Sequence, residues 1–111
     1  MPITRKIMGV SRGGGGKKAI FGYGITNTRV SMTNLVSNIG VVSSDVTGVG
    51  TGRDGLAGAV YATDKAIFGY GSDSVNNLSM TNLVSNAGVV SSDVTGVGTA
   101  RSFLAASSYG S

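Results

Sequence analysis

Lys18-Ala19-Ile20-Phe21-Gly22-Tyr23-Gly24 recurs residue for residue as Lys65-Ala66-Ile67-Phe68-Gly69-Tyr70-Gly71, 47 positions later. Each copy is followed by a longer one, SMTNLVSNIGVVSSDVTGVGT at residues 31–51 and SMTNLVSNAGVVSSDVTGVGT at residues 79–99. These are identical at 20 of 21 positions, with Ile39 against Ala87 as the difference. A period of 47 to 48 residues divides the chain into an N-terminal arm, residues 1–17, and two repeats, residues 18–64 and 65–111. Duplication on this scale marks a fold in which one supersecondary unit is laid against the next.

The seven-residue stretch is short, apolar and aromatic, and it ends in glycine, as a strand does. Ala19, Phe21 and Tyr23 alternate with Ile20, Gly22 and Gly24. Both sets are apolar or small, so the strand is expected to be buried on both faces, with another backbone or sheet close to the glycines. Residues 31–38 read as a second strand, 38–40 as a turn, 41–46 as a third, β-branched strand and 56–62 as a fourth. Residues 47–52 form a glycine-rich connection, and Thr63-Asp64 turns the fourth strand into the next repeat. In the arm, residues 5–10 are compatible with a short strand and residues 13–16 with a turn or linker. No segment keeps an apolar 3.6-residue period over ten residues, so no helix is expected. Four short strands per period, joined by tight turns, predict an all-β chain of propeller-blade type. A β-solenoid would show a shorter internal period, and a Greek-key sandwich does not require near-identical halves.

Composition removes most chemistry. The 111 residues include 19 glycines but no Glu, His, Cys or Trp, and only 13% are charged. Disulfides, the usual zinc, copper and haem ligands, and the commonest general base are therefore excluded. Without His or Cys the serines cannot join a nucleophilic triad, so the chain is read as non-enzymatic, with no cofactor and no metal expected. Asp45 and Asp93 recur in Ser-Ser-Asp-Val-Thr-Gly; calcium would need more oxygen ligands than one carboxylate, and bonding to turn backbone is the favoured role. The glycines of residues 48–52 precede no helix and are not a phosphate loop. No apolar run approaches the ~20 residues of a membrane span, and no secretory signal is recognised. Localisation stays open between a virion-associated and a cytoplasmic setting.

The net charge of +4 is uneven. Arg5, Lys6, Arg12, Lys17 and Lys18 put five positive charges in the first 18 residues, whereas four basic residues face five aspartates in the remainder. The arm reads as a solvated tail, or as a contact for phosphates on a nucleic acid or another acidic surface.

The segment from Arg53 through Asp54-Gly55-Leu56-Ala57-Gly58-Ala59-Val60-Tyr61-Ala62-Thr63-Asp64 to Gly71 resembles the core of a kelch-type repeat. There an arginine precedes a small-residue strand, a tight turn follows, and the next apolar strand ends in a glycine doublet. Here Tyr70 splits the doublet, and the tryptophan and paired aromatics of kelch repeats are absent. The resemblance covers residues 18–111 and is also similar to the degenerate kelch-like arrays of phage and environmental bacterial proteins. It implies four-stranded antiparallel blades in a ring of about six to eight.

Two blades cannot close a ring, so the blades, circularly permuted, are expected to close it by oligomerisation. Residues 101–109, a copy of the 53–61 strand, would pair through Leu104 and Tyr109 with Lys18, Ile20, Phe21 and Tyr23 of another subunit. A trimer or a tetramer then gives six or eight blades; the alternative is a fragment of a longer array, and residues 5–10 could compete for the same edge. Phe21 with Tyr23, and Phe68 with Tyr70, read as core packing before sugar-stacking platforms. Arg53 and Arg101 recur in phase and suit either a structural bond to a carbonyl or Asp, or an anion at the rim.

The copies diverge in residues 25–30 and 72–78. Thr26, Asn27 and Arg29 in the first, and Asp73, Asn76 and Asn77 in the second, are the candidate ligand-binding loops. The expected function is a self-assembling binding or display scaffold for a glycan or protein surface. The alternatives are a purely structural ring component, or a nucleic-acid-associated protein acting through its arm.

Overall fold

The computed structural model describes residues 16–110. The strand expected at residues 5–10 and the basic charges of Arg5, Lys6 and Arg12 lie outside them. Among the described residues the chain is all-β with no helix, and its five strands pair antiparallel in two sheets.

In the first sheet β1 (Ala19–Gly22) pairs with β2 (Thr33–Val36), with Ile20 opposite Leu35 and Phe21 opposite Asn34. In the second, β3 (Ala57–Tyr61), β4 (Lys65–Gly69) and β5 (Thr81–Val84) lie in that order. The β4–β5 register repeats that of β1–β2, with Ile67 opposite Leu83 and Phe68 opposite Asn82. The β3–β4 hairpin closes at the Tyr61–Lys65 pair, with Ala62 in the left-handed region (φ 54°). That hairpin joins the tail of the first repeat to the head of the second, so the sheet boundary does not follow the sequence boundary at residue 64.

Residues 41–46, expected as a strand, are held to β2 by two isolated bridges, Val36 to Val42 and Thr33 to Val46. One more residue lies between 42 and 46 than between 33 and 36. That is a bulge, and it breaks the ladder a regular strand needs. Val84 to Val90 and Thr81 to Val94 reproduce it in the second repeat. Each unit is thus an antiparallel meander whose last member is bridged. Residues 101–109 also form no strand. The equivalent β3 is a strand because β4 hydrogen-bonds it, and no described residue offers residues 101–109 such a neighbour. They run beside the first repeat, where the Phe103 amide donates to the Gly55 carbonyl at 2.6 Å and Ser108 Oγ to the Val60 carbonyl at 2.6 Å.

The expectation that the KAIFGYG strand is buried on both faces fails in the first copy, where Phe21 is 64% exposed. In the second copy the ring of Phe68 is half-buried, pressed between Gly22 and Gly58. A Cβ on Gly22 would stand 3.0 Å from that ring, whereas one on Gly71 would stand 2.7 Å from the Asp54 carbonyl, so the close backbone expected at these glycines is met at Gly71 and a phenyl group takes its place at Gly22. The core lies between the two repeats. Leu35, Val46 and Val49 of the first face Gly88, Val89 and Val90 of the second around a small apolar cavity of about 190 Å³. Val84, Val90 and Tyr23 are the buried apolar side chains among the described residues.

Candidate functional site

The best-ordered polar chemistry sits at this junction. Arg53 follows the glycine-rich connection of the first repeat and is fully buried, as is Asn82 of β5. The guanidinium lies 4.6 Å from the Tyr23 ring centroid. Its Nε donates to the Tyr70 carbonyl at 2.7 Å, Nη1 to the Thr51 carbonyl at 2.9 Å, and Nη2 to Asn82 Oδ1 at 2.6 Å. Asn82 Nδ2 in turn donates to Asp93 Oδ1 at 2.9 Å and to the Ser91 carbonyl at 3.1 Å. Asp93 closes the circuit by accepting from the Thr51 amide at 3.2 Å and from Thr51 Oγ1 at 2.7 Å. A buried cation is expensive unless its donors are satisfied, and this one is satisfied from both repeats at once.

Tyr23 completes the seat. Its backbone is left-handed (φ 64°), as is that of Tyr70 (φ 67°), a conformation that costs a bulky residue about 1–3 kcal/mol. Each is over-determined by its surroundings. Tyr23 Oη donates to the Val49 carbonyl at 2.9 Å and Tyr70 Oη to the Val97 carbonyl at 2.8 Å, and an arginine covers each ring. Burial pushes the Tyr23 hydroxyl above its ordinary pKa against the opposing pull of Arg53. For Asp93, burial pushes upward, but the hydrogen bonds from Asn82 and Thr51 and the Arg53 charge outweigh it, so its carboxyl is held below the usual range.

Of the two roles open to Arg53, the structural bond to carbonyls is the one observed. Asp93 accepts from a backbone amide of the other repeat and Asp45 from the Asn34 side chain, so neither shows the local turn bond that the sequence favours. Phe21 and Tyr23 do not act together: Tyr23 is buried and Phe21 is on the surface. Asn82 was missed as a candidate. It stands in the strand Thr-Asn-Leu-Val beside Thr81 and carries no sequence signal of its own beyond recurring as Asn34.

The divergent loops come together on one flank. Asn27 and Arg29 of the first repeat and Asp73 of the second line one shallow polar cleft of about 340 Å³. Thr26, Asn76 and Asn77 are exposed outside its lining. Arg29 Nε meets Asp54 Oδ1 at 2.9 Å. Asp73 Oδ1 accepts from the amides of Asn76 at 2.9 Å and Val75 at 3.0 Å, and these bonds lower its pKa. The cleft therefore carries a half-buried cation, already paired with Asp54, beside an oriented carboxylate and the uncharged amide of Asn27. That set suits hydroxyl groups and polar backbone better than a single strong charge.

Of the proposed assembly residues, Lys18, Phe21 and Tyr109 are exposed, Ile20 and Leu104 are partly covered, and Tyr23 is buried. Among the described residues β1 has β2 as its one strand partner, so its second edge is free. No group of three or more His, Cys, Asp or Glu side chains that could hold a metal occurs among the described residues. No helix there is long and apolar enough to cross a membrane. No protein-family model matches the chain, and no curated protein is significantly similar to it.

Proposed function

We propose that the chain is a non-enzymatic β-repeat scaffold that self-assembles and displays its divergent loops to a glycan or protein surface. What carries this reading is where the polar residues are used. Arg53, Asn82 and Asp93 hold one repeat to the next, while Asn27, Arg29 and Asp73, from the segments where the copies differ, meet around an open cleft. Two antiparallel meanders packed against each other also favour the kelch-like blade reading. In a ring of three or four chains, the segment from Leu104 to Tyr109 would meet the free edge of β1 and the residue before it, at Lys18, Ile20 and Phe21, on the next chain, while Tyr23 is taken up by the internal junction.

The test is a glycan array run with the full chain and with Arg29→Ala and Asp73→Ala. Binding that both substitutions abolish, with unchanged circular dichroism, supports the loops as the recognition surface. Binding indifferent to both places recognition elsewhere. A purely structural role is the second reading, favoured by the exposure of Phe21, Val42 and Val97 at the ends of the repeat pair.

A further inference from the structure

The internal junction shows how one repeat recognises the next. The first repeat contributes Arg53, Thr51, Tyr23 and Leu35, and the second contributes Asn82, Asp93, Phe68 and Gly88. Near-identity of the copies places the same two sets at the outer ends, unmated among the described residues. The outer end of the second repeat carries Arg101, Thr99, Tyr70 and Leu83. The outer end of the first carries Asn34, Asp45, Phe21 and Gly40.

These ends are already set for docking. Arg101 lies 4.6 Å from the Tyr70 ring centroid, matching Arg53 on Tyr23, and its Nη1 donates to the Thr99 carbonyl at 3.1 Å. Its Nε and Nη2, the two groups that in Arg53 cross the junction, meet no acceptor among the described residues. Asn34 Nδ2 donates to Asp45 Oδ1 at 2.8 Å and to the Ser43 carbonyl at 3.1 Å, the anchoring Asn82 has. Asn34 Oδ1, the counterpart of the atom that receives Arg53, meets no donor there. No ring stands at Gly69 as Phe68 stands at Gly22. A Cβ on Gly22 would strike the Phe68 ring at 3.0 Å, but on Gly69 it would meet no ring, only the Thr81 side chain at 3.0 Å and the Met80 carbonyl at 3.9 Å. The apolar surroundings agree, with Val42 53% exposed where its counterpart Val90 is 9% exposed.

We propose that a second copy of this chain docks head to tail on these ends and reproduces the internal junction. Arg101 then reaches the partner's Asn34 and the carbonyl of the partner's Tyr23, Thr99 reaches the partner's Asp45, and the partner's Phe21 packs edge-on beside Tyr70 as Phe68 does beside Tyr23. The contact is heterologous, so each addition leaves one head and one tail free, and the series ends in a ring or continues as a filament according to the rotation per step. Because both surfaces are held in their bound geometry beforehand, little ordering cost opposes association. The inference rests on the self-assembly half of the scaffold reading and is independent of the loops.

The experiment is sedimentation velocity on the full chain over a concentration series. Mass is expected to rise above the 11.1 kDa of one chain. Arg101→Ala should weaken association about tenfold or more, the scale of a lost charge-assisted hydrogen bond. Arg101→Asp blocks the tail, and Phe21→Asp or Val42→Asp blocks the head. These side chains are exposed, so circular dichroism should be unchanged. Each blocked chain alone should remain a monomer, and a tail-blocked chain mixed with a head-blocked one should give a one-to-one dimer and stop. Assembly of the blocked chains like the unaltered protein, or failure of the mixture to pair, overturns the docking geometry while leaving a self-assembling scaffold. A monomer at every concentration overturns the geometry and self-assembly together, and leaves loop display to the glycan array.

Discussion

Arg53 and Arg101 occupy the same phase of two near-identical repeats, and both lie 4.6 Å from a left-handed tyrosine ring. One is fully buried and bonded to three acceptors, and the other is exposed. The difference owes nothing to local sequence. Among the described residues a repeat lies beyond Arg53 and none beyond Arg101. The same holds for Asn82 against Asn34, Val90 against Val42, and Phe68 against Phe21. For the arginine the packed copy is in the first repeat, and for the asparagine, valine and phenylalanine it is in the second.

The largest effect that would sharpen the comparison is at the arginines. Arg53→Ala leaves Asn82 Oδ1 and two carbonyls without their donor and opens a cavity, so urea denaturation should show a loss of about 3–5 kcal/mol. Arg101→Ala should cost less than about 1 kcal/mol in the monomer, and a loss equal to that at Arg53 would break the comparison. Next come the valines. Val90→Ala, in the packed junction, should cost about 2 kcal/mol, and the exposed Val42→Ala about 0.5 kcal/mol or less.

Glycine turns give a matched pair of smaller effects. Gly40 and Gly88 are both left-handed, at φ 83° and 79°, so alanine at either should cost about 1–2 kcal/mol in thermal melts. At Gly88 the added Cβ also stands 2.8 Å from Leu35 Cδ2, whereas nothing lies within 4 Å at Gly40. Gly88→Ala should therefore be the worse by about 1 kcal/mol. The smallest effect is on pH dependence. Asp93 has a lowered pKa in the fold, so the unfolded chain takes up its proton first as pH falls. Its stabilisation is complete above the ordinary value of 3.8 and is lost as pH falls through the folded value below it. Asp93→Asn should flatten that acid limb of the melting curve. Asp64 and Asp73, also shifted down, should keep part of it.

Much of the fold was legible in the sequence. The period, the absence of helix and the positions of β1, β3 and β4 follow from alternation, β-branched and aromatic residues, and glycine punctuation, all local properties. The phase of the arginines was visible too, and divergence between copies pointed to loops that do share a cleft. The bulge in residues 41–46 was hidden because Val-Val-Ser-Ser-Asp-Val carries the same β signal whether or not one residue is left unpaired. Asn82 was hidden because an Asn in a strand announces nothing until an arginine from another repeat arrives over it.

By itself, the sequence determined the unit: which residues extend, where the chain turns, and which side chains each repeat presents at its two ends. It could not determine which of two identical residues is buried, because identical segments carry identical local preferences. Burial depends on what stands opposite, and that is set by the order of the repeats in space. Only the tertiary structure decided that Phe68 is packed and Phe21 exposed, and that Arg53 is bound while Arg101 is left free.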